Sequence, residues 1–281
     1  DFFFENHDIH TKFGIAYKSH IESVQSQFQK IDFYKTFDFG VILTLDDILM
    51  LTQRDEFIYH EMLVHPAMAV NPDIKHVLII GGGDGCGARE LLRYPGIEHI
   101  DIAEIDRKVV DLCKKHFPEA ADALSNRKVN IHICNGVEFI KKKADSYDLI
   151  IVDSTDPIGI GAGLFRSKFY KSCMNALTSD GILINQHESP FYAGDAIACQ
   201  RAHKRIKESF PISLVYQAHL PTYPSGYWLF GFASKRYHPL KNLDEARWNS
   251  RGLTCHYYTT TLHRGAFYLP AYVKELLNHA E

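Results

Sequence analysis

The chain has no cysteine pair at CxxC or CxxxC spacing. Its six cysteines (Cys86, Cys113, Cys134, Cys173, Cys199 and Cys255) are scattered through 281 residues. In a chain this long that excludes a disulfide scaffold and predicts reduced, mostly buried thiols in a cytoplasmic protein. No HxH or HExxH grouping occurs among the 16 histidines, and His60 and His65 stand five apart, poor spacing for two ligands on one helix face. No metal site is expected. No apolar run reaches the ~18–20 residues of a membrane span, and the first residues lack the basic-then-apolar order of a signal peptide. Positive charge is not in excess either: 31 Lys and Arg against 34 Asp and Glu give a net charge of −3. Lys141–Lys143, the only run of three, belongs to a helix end, where cations complement the dipole. Nucleic acid and membrane are therefore not expected as partners.

Glycine, by contrast, is concentrated. Residues 77–90 run Val-Leu-Ile-Ile-Gly-Gly-Gly-Asp-Gly-Cys-Gly-Ala-Arg-Glu, an apolar strand breaking into a glycine turn and then a helix start. Such a turn lets backbone approach a ligand closely, and the next helix offers free N–H groups. Asp84 inside the turn would repel a phosphate, so the turn expects a cationic ligand, a sulfonium nucleoside rather than a dinucleotide. The G-x-G-x-x-G fingerprint also fails, because Cys86 or Ala88 stands where its third glycine belongs. Gly81, Gly83 and Gly85 fit a G-x-G-x-G spacing.

Apolar content of 46% is ordinary for a globular protein, and the length suits one large domain plus one small. Residues 1–55 read as a small antiparallel β-domain, with strands near Phe13–Tyr17, Phe28–Tyr34, Val41–Leu45 and Ile48–Leu51. Arg54–Ala69 reads as a helix that Pro66 bends or ends. From His76, short apolar runs at 77–80, 100–104, 129–134, 149–153 and 182–186 alternate with helical stretches near 87–93, 107–115, 135–143, 167–177 and 194–209. This predicts a doubly wound α/β sheet with right-handed crossovers over residues 56–281. Antiparallel strands at 213–219 and 227–233 close it, followed by helices near 241–249 and 270–278.

Ligands of such sheets bind beyond the C-terminal strand ends. There lie Asp84, Glu104, Asn135-Gly136, Asp153-Ser154-Thr155-Asp156-Pro157 and Gln186-His187-Glu188. Glu104, 20 residues after Asp84, suits a ribose diol, and Asn135-Gly136 suits an adenine edge. Asp84, Glu104, Asp153, Asp156 and Glu188 are five carboxylates aimed at one crevice, which calls for a ligand of high positive charge. Gly159–Gly163 has the make-up of a lid loop, and Pro221–Gly226 forms a rigid turn that fixes Tyr223.

These residues resemble the spermidine synthases, or polyamine aminopropyltransferases. The match includes Phe28-Gln29, Arg54–Met62, Gly81–Gly85 with Arg89-Glu90, Glu104-Ile105-Asp106, Asp153–Pro157 with Leu164-Phe165, Pro221–Gly226 and His263–Phe267. The resemblance implies an N-terminal β-domain on a methyltransferase-like α/β domain, assembled as a homodimer or homotetramer. It implies decarboxylated S-adenosylmethionine as co-substrate, with no tightly bound cofactor, held by Gln29, His60, Asp84, Glu104, Asn135 and Gly136. Tyr59, Asp153, Asp156, Gln186, Glu188 and Tyr223 would line the diamine channel, with Asp153 as base and Tyr223 orienting the amine. Cys86-Gly87, Asn135 and Ile160 depart from the family pattern. A diamine N-methyltransferase and a non-catalytic polyamine-binding relative are the alternative readings.

Overall fold

The computed structural model describes residues 1–154 and 166–278. An antiparallel five-stranded sheet comes first: β1 (Phe2–Asn6), β2 (Lys12–Gln25), β3 (Lys30–Thr36), β4 (Val41–Leu45) and β5 (Ile48–Thr52), paired in sequence order. β1 is absent from the sequence reading because its phenylalanines run consecutively, without polar alternation. Once paired, Phe3 and Glu5 face inward and their neighbours outward. β2 runs well past Tyr17 as a polar, largely exposed strand. It is held by backbone pairing to β3 through two register shifts rather than by a hydrophobic face.

Helix α1 (Glu56–Val70) follows, buried at every position from Ile58 onward. Pro66 neither ends it nor stops it at Ala69. A proline inside a helix leaves the carbonyl four residues back without its N–H donor. Here that carbonyl belongs to Met62, and the Tyr216 hydroxyl donates to it at 2.7 Å. The helix survives its proline because a side chain from another element supplies the missing donor.

The rest alternates as expected: β6 (His76–Gly81), α2 (Cys86–Leu92), β7 (His99–Glu104), α3 (Arg107–His116), α4 (Pro118–Leu124), β8 (Val129–Ile133), α5 (Gly136–Ile140), β9 (Tyr147–Asp153), α6 (Ser167–Ala176), β10 (Leu177–Gln186), α7 (Ala193–Ser209), β11 (Ile212–His219), β12 (Tyr227–Ser234), α8 (Glu245–Asn249), α9 (Thr260–Ala266) and α10 (Ala271–Asn278). α4 and α9, short and weakly apolar, are additions to the sequence reading, and α8 starts later than residue 241. The sheet order is β11-β12-β10-β9-β6-β7-β8. β12 runs antiparallel to both neighbours, and the remaining pairs are parallel. This is a methyltransferase-like α/β sheet.

Burial explains the order. Val77–Ile80, Leu149–Val152 and Ile182–Ile184 are at most 2% exposed, as strands covered on both faces must be. The chain leaves β6 for β7 on one side and later fills β9 on the other, so a crevice opens at their C-terminal ends. There Gly81 pairs with Asp153. The five-stranded sheet closes over this edge by packing Ile31, Phe33, Leu43 and Leu51 against Val109, Leu112 and Phe117.

Candidate active site

The glycine turn is built by close approach. Gly81, Gly82 and Gly85 have φ of 85°, 68° and 84°, the left-handed region that glycine alone enters freely. A Cβ on Gly81 would lie 1.8 Å from the Asp153 carbonyl oxygen, so the ends of β6 and β9 could not meet. Gly83 has an ordinary φ, but a Cβ there would lie 2.9 Å from Cγ of Glu104. Asp84 leaves the turn at the start of α2, where its Oδ1 accepts the Cys86 N–H at 2.7 Å.

α1 supplies the opposite wall. The Tyr59 hydroxyl donates to Asp153 Oδ1 at 2.8 Å, while Asp153 Oδ2 is buried with no partner. His60 Nδ1 lies 2.8 Å from Glu56 Oε2, and its Nε2 lies 3.5 Å from Asp84 Oδ1. Glu56 is held in turn by a two-pronged bond from Arg89, at 2.9 and 3.0 Å. Polar atoms of His60, Asp84 and Asp153 all fall within 4.8 Å of one another. Burial alone would lower the His60 pKa, but Glu56 and Asp84 outweigh it and hold the imidazole near about 9. Burial, reinforced by Asp84, pushes Asp153 up to about 6 against the opposing pull of His60 and Tyr59. Glu104 rises to about 7, mainly by burial, with Asp106 and Asp84 adding to it. Burial and mutual repulsion thus both work against the charged carboxylates here, and a cation beside them would have the opposite effect.

The far wall comes from the ends of β7 and β8. Glu104 Oε1 accepts the Asp106 N–H at 2.9 Å. Asp106 Oδ2 takes Ser26 Oγ at 2.6 Å and Gln29 Nε2 at 3.3 Å, which brings Gln29 from the N-terminal sheet into the cleft. Asn135 caps α5, its Oδ1 accepting the Val137 and Glu138 N–H groups at 2.9 and 3.4 Å. An adenine amino group would have to share that oxygen with the cap.

Two adjoining cavities result. The larger, about 1050 Å³ with its open mouth, is lined by Gln29, Tyr59, His60, Gly81–Asp84, Glu104, Asn135, Gly136, Asp153 and Tyr223. The smaller, about 480 Å³, shares Met50, Tyr59, Ser154 and Tyr223 with it and continues to Gln186, Glu188 and Trp228. Asp84, Glu104 and Asp153 line the first cavity and Glu188 the adjoining second. Asp156 and the Gly159–Gly163 stretch lie outside the described residues.

Glu188 has φ of 71°, unusual without glycine. A reciprocal pair holds it: its N–H donates to Gln186 Oε1 at 3.0 Å, and Gln186 Nε2 donates to Glu188 Oε1 at 2.6 Å. The Tyr223 hydroxyl donates to the Met50 carbonyl at 2.5 Å. The hydroxyl is thereby engaged with backbone, and Tyr223 borders both cavities chiefly through its ring, packed edge-on to Trp228 at 4.8 Å. Glu5, His7 and Asp195 also line the second cavity and escaped the sequence reading. The available signal was Glu5, a carboxylate ending a phenylalanine run and only 5% exposed.

Comparison with known proteins agrees with this geometry. The spermine/spermidine synthase domain model matches residues 56–245. A polyamine aminopropyltransferase of Alkaliphilus oremlandii is 54% identical over 277 residues, covering 99% of this chain and 98% of its own. One from Clostridium acetobutylicum is 54% identical over 279 residues, covering 99% and 98%. Among solved structures, a spermidine synthase in complex with the transition state analogue AdoDATO superposes with a TM-score of 0.95 at 37% identity, over 99% of this chain and 95% of that one. The spermidine synthase of Thermotoga maritima gives 0.93, also at 37% identity, over 99% and 94%. The chain belongs to the spermine/spermidine synthase family and is an aminopropyltransferase.

Proposed function

We propose that the protein transfers the aminopropyl group of decarboxylated S-adenosylmethionine to a diamine, most readily putrescine, yielding spermidine and methylthioadenosine. The observation that carries this reading is Asp153, which lines the larger cavity beside Tyr59 and Ser154, two residues that also line the second, with one oxygen held by Tyr59 and the other buried without a partner. The nucleoside occupies the larger cavity, its ribose on Glu104, its base beside Asn135 and Gly136, and its ammonium tail near Asp84 and His60. Gln29 sits at its rim. The diamine occupies the second cavity, with Tyr223 as wall and Gln186 and Glu188 toward its distal ammonium. Asp156 belongs to the same reading.

The reaction is an in-line displacement. The free amine of the acceptor attacks the propyl carbon next to sulfur, the carbon–sulfur bond breaks, and its electron pair returns to sulfur as a neutral thioether. An alkyl ammonium has a pKa near ~10.4, so under ~0.1% is free base at pH 7. Asp153 takes the amine proton, a role ordinarily worth ~10²–10⁴-fold. Its raised pKa makes it a better acceptor than an exposed carboxylate.

The homodimer or homotetramer implied by the resemblance is part of this proposal, supported by the exposed Phe2, Phe4 and Phe37 of the N-terminal sheet. So is a cytoplasmic setting, supported by six unpaired thiols. Among the described residues no helix is long and apolar enough to cross a membrane.

The test is incubation with putrescine and either decarboxylated S-adenosylmethionine or S-adenosylmethionine, with products identified by mass. An aminopropylated diamine from the decarboxylated nucleoside is the expected result. A methylated diamine, or no transfer, overturns the reading.

A further inference from the structure

Asp55 is the N-cap residue of α1 and belongs to a type that normally caps its own helix. It does not do so: no side-chain cap hydrogen bond forms. The carboxylate is turned outward instead and is almost fully buried, 7% exposed. Oδ1 accepts the Thr52 hydroxyl at 2.7 Å. Oδ2 accepts both the hydroxyl and the N–H of Thr222, at 2.7 and 3.2 Å. Thr222 lies 167 residues away in sequence, in the turn that carries Tyr223. A cap on its own helix is worth about 0.5–2 kcal/mol. This chain forgoes it for a tether between the end of β5, the start of α1 and the 220–226 turn.

The tip of the tethered turn is left-handed. Ser225 adopts φ of 67°. Its other fixed points include the Tyr223 bond to Met50, the edge-on packing of Tyr223 on Trp228, the Ser225–Ser189 hydroxyl pair at 2.8 Å and short backbone bonds at its base. Met50 and Thr52 both belong to β5, so the turn is fastened to one strand directly and again through Asp55. Tyr223, next to Thr222, borders both the nucleoside and the acceptor cavities.

We infer that Asp55 is a positioning residue for acceptor binding: through Thr222 it fixes the Tyr223 wall of the second cavity relative to Tyr59 and Asp153. The inference rests on the proposed aminopropyl transfer to a diamine. A carboxylate with three hydroxyl and amide donors places the turn more sharply than one hydrogen bond would, and a displaced Tyr223 widens the space beside the attacking nitrogen. The nucleoside contacts at Asp84, Glu104 and Asn135 lie on other elements and do not pass through this tether.

The test uses Asp55→Asn and Thr222→Val, with Thr222→Ser as the variant that keeps the hydroxyl. The expected result is a diamine KM raised at least ~10-fold in the first two, methylthioadenosine affinity within ~2-fold of wild type, and near-normal KM in Thr222→Ser. Unchanged diamine KM overturns the inference, as does a parallel loss of nucleoside affinity, which would mean general damage. Amide hydrogen exchange at residues 222–226 decides the tether independently of turnover. Faster exchange there in Asp55→Asn and Thr222→Val, with α1 unchanged, supports it, and unchanged exchange refutes it. A wild-type protein that transfers no aminopropyl group would remove the proposed function, while the exchange result would still settle whether Asp55 holds the turn.

Discussion

The hydroxyl of Tyr59 donates to Oδ1 of Asp153 at 2.8 Å, joining a helix that precedes the α/β sheet to the end of that sheet's β9. The bond favours the ionised carboxylate, and burial and Asp84 oppose it. Two residues 94 positions apart thus set the charge state of the proposed base.

Tyr59→Phe removes the donor while leaving the ring, so Asp153 should ionise at higher pH than its present value of about 6. The acid limb of the kcat/KM profile is expected to move upward in pH, with activity at pH 7 down by about twofold. A pH–rate series on both proteins checks this. An unmoved limb would show that Asp153 ionisation does not limit the rate.

The glycines of the turn should separate by what their missing Cβ would meet. Gly83→Ala keeps a permitted backbone but drives its methyl against Glu104. Methylthioadenosine binding is expected to weaken at least ~10-fold, with the melting midpoint within ~3 °C of wild type. Gly81→Ala forces a methyl into the Asp153 carbonyl at a φ of 85° and should cost more than about 3 kcal/mol of stability. Calorimetric titration and thermal melts distinguish them. Equal destabilisation by both variants would contradict the geometry.

Asp84→Asn addresses the choice of sulfonium. An ammonium-only tail gains a charge-assisted bond near Asp84, about 1.5–3 kcal/mol, while a tail that also bears a carboxylate meets Asp84 and Asp153 together. Decarboxylated S-adenosylmethionine is expected to bind at least ~100-fold tighter than S-adenosylmethionine, and the variant to narrow the gap. Titration of both ligands against both proteins measures it. Equal wild-type affinities would refute Asp84 as the group that selects the decarboxylated sulfonium.

Buried histidines predict the acid limb of stability. Burial lowers His187 to about 3, with His203 nearby adding to it, and lowers His203 and His263 to about 4. A histidine depressed below its ordinary 6.5 binds fewer protons folded than unfolded. Its stabilisation is complete above 6.5 and is lost as pH falls through the interval toward 3–4. His60, raised to about 9, acts oppositely, losing its contribution as pH climbs from 6.5 to 9. Glu104 and Asp153, raised to about 7 and about 6, gain stability over the same fall in pH and offset part of this loss. The melting midpoint should therefore fall less, or rise, from pH 7 to pH 5 in His203→Leu relative to wild type. Identical pH dependence in His203→Leu and wild type would show that His203 carries none of this loss.

Much of this architecture was legible beforehand, for identifiable reasons. Strands buried on both faces announce themselves as apolar runs, so β6, β7, β9 and β10 were placed within a few residues, and their polar ends picked out Asp84, Glu104 and Asp153. What escaped depends on partners distant in sequence. Pro66 reads as a break unless Tyr216 is known to reach Met62. β2 reads as a strand for only part of its length because pairing rather than a hydrophobic face sustains the rest. The sequence marks Tyr223 by its place in the 221–226 turn, yet the direction of its hydroxyl, toward Met50, is set by a strand 173 residues earlier. Glu5, His7 and Asp195 converge only after the β1–β2 hairpin folds onto the start of α7.

The Tyr216–Met62 bond has a consequence beyond rescuing a proline. Met62 follows Tyr59 and His60 by less than one turn, and Tyr216 sits on β11, next to the strand that carries Trp228. The segment of helix facing the proposed reacting atoms is therefore bolted to the acceptor side of the molecule before either ligand arrives. Two reactants held by one stiff frame lose little further freedom on meeting, and such prior ordering is worth up to several kcal/mol of a bimolecular barrier. In the proposed reaction, a residue that completes a helix thereby also helps to fix the gap between amine and carbon.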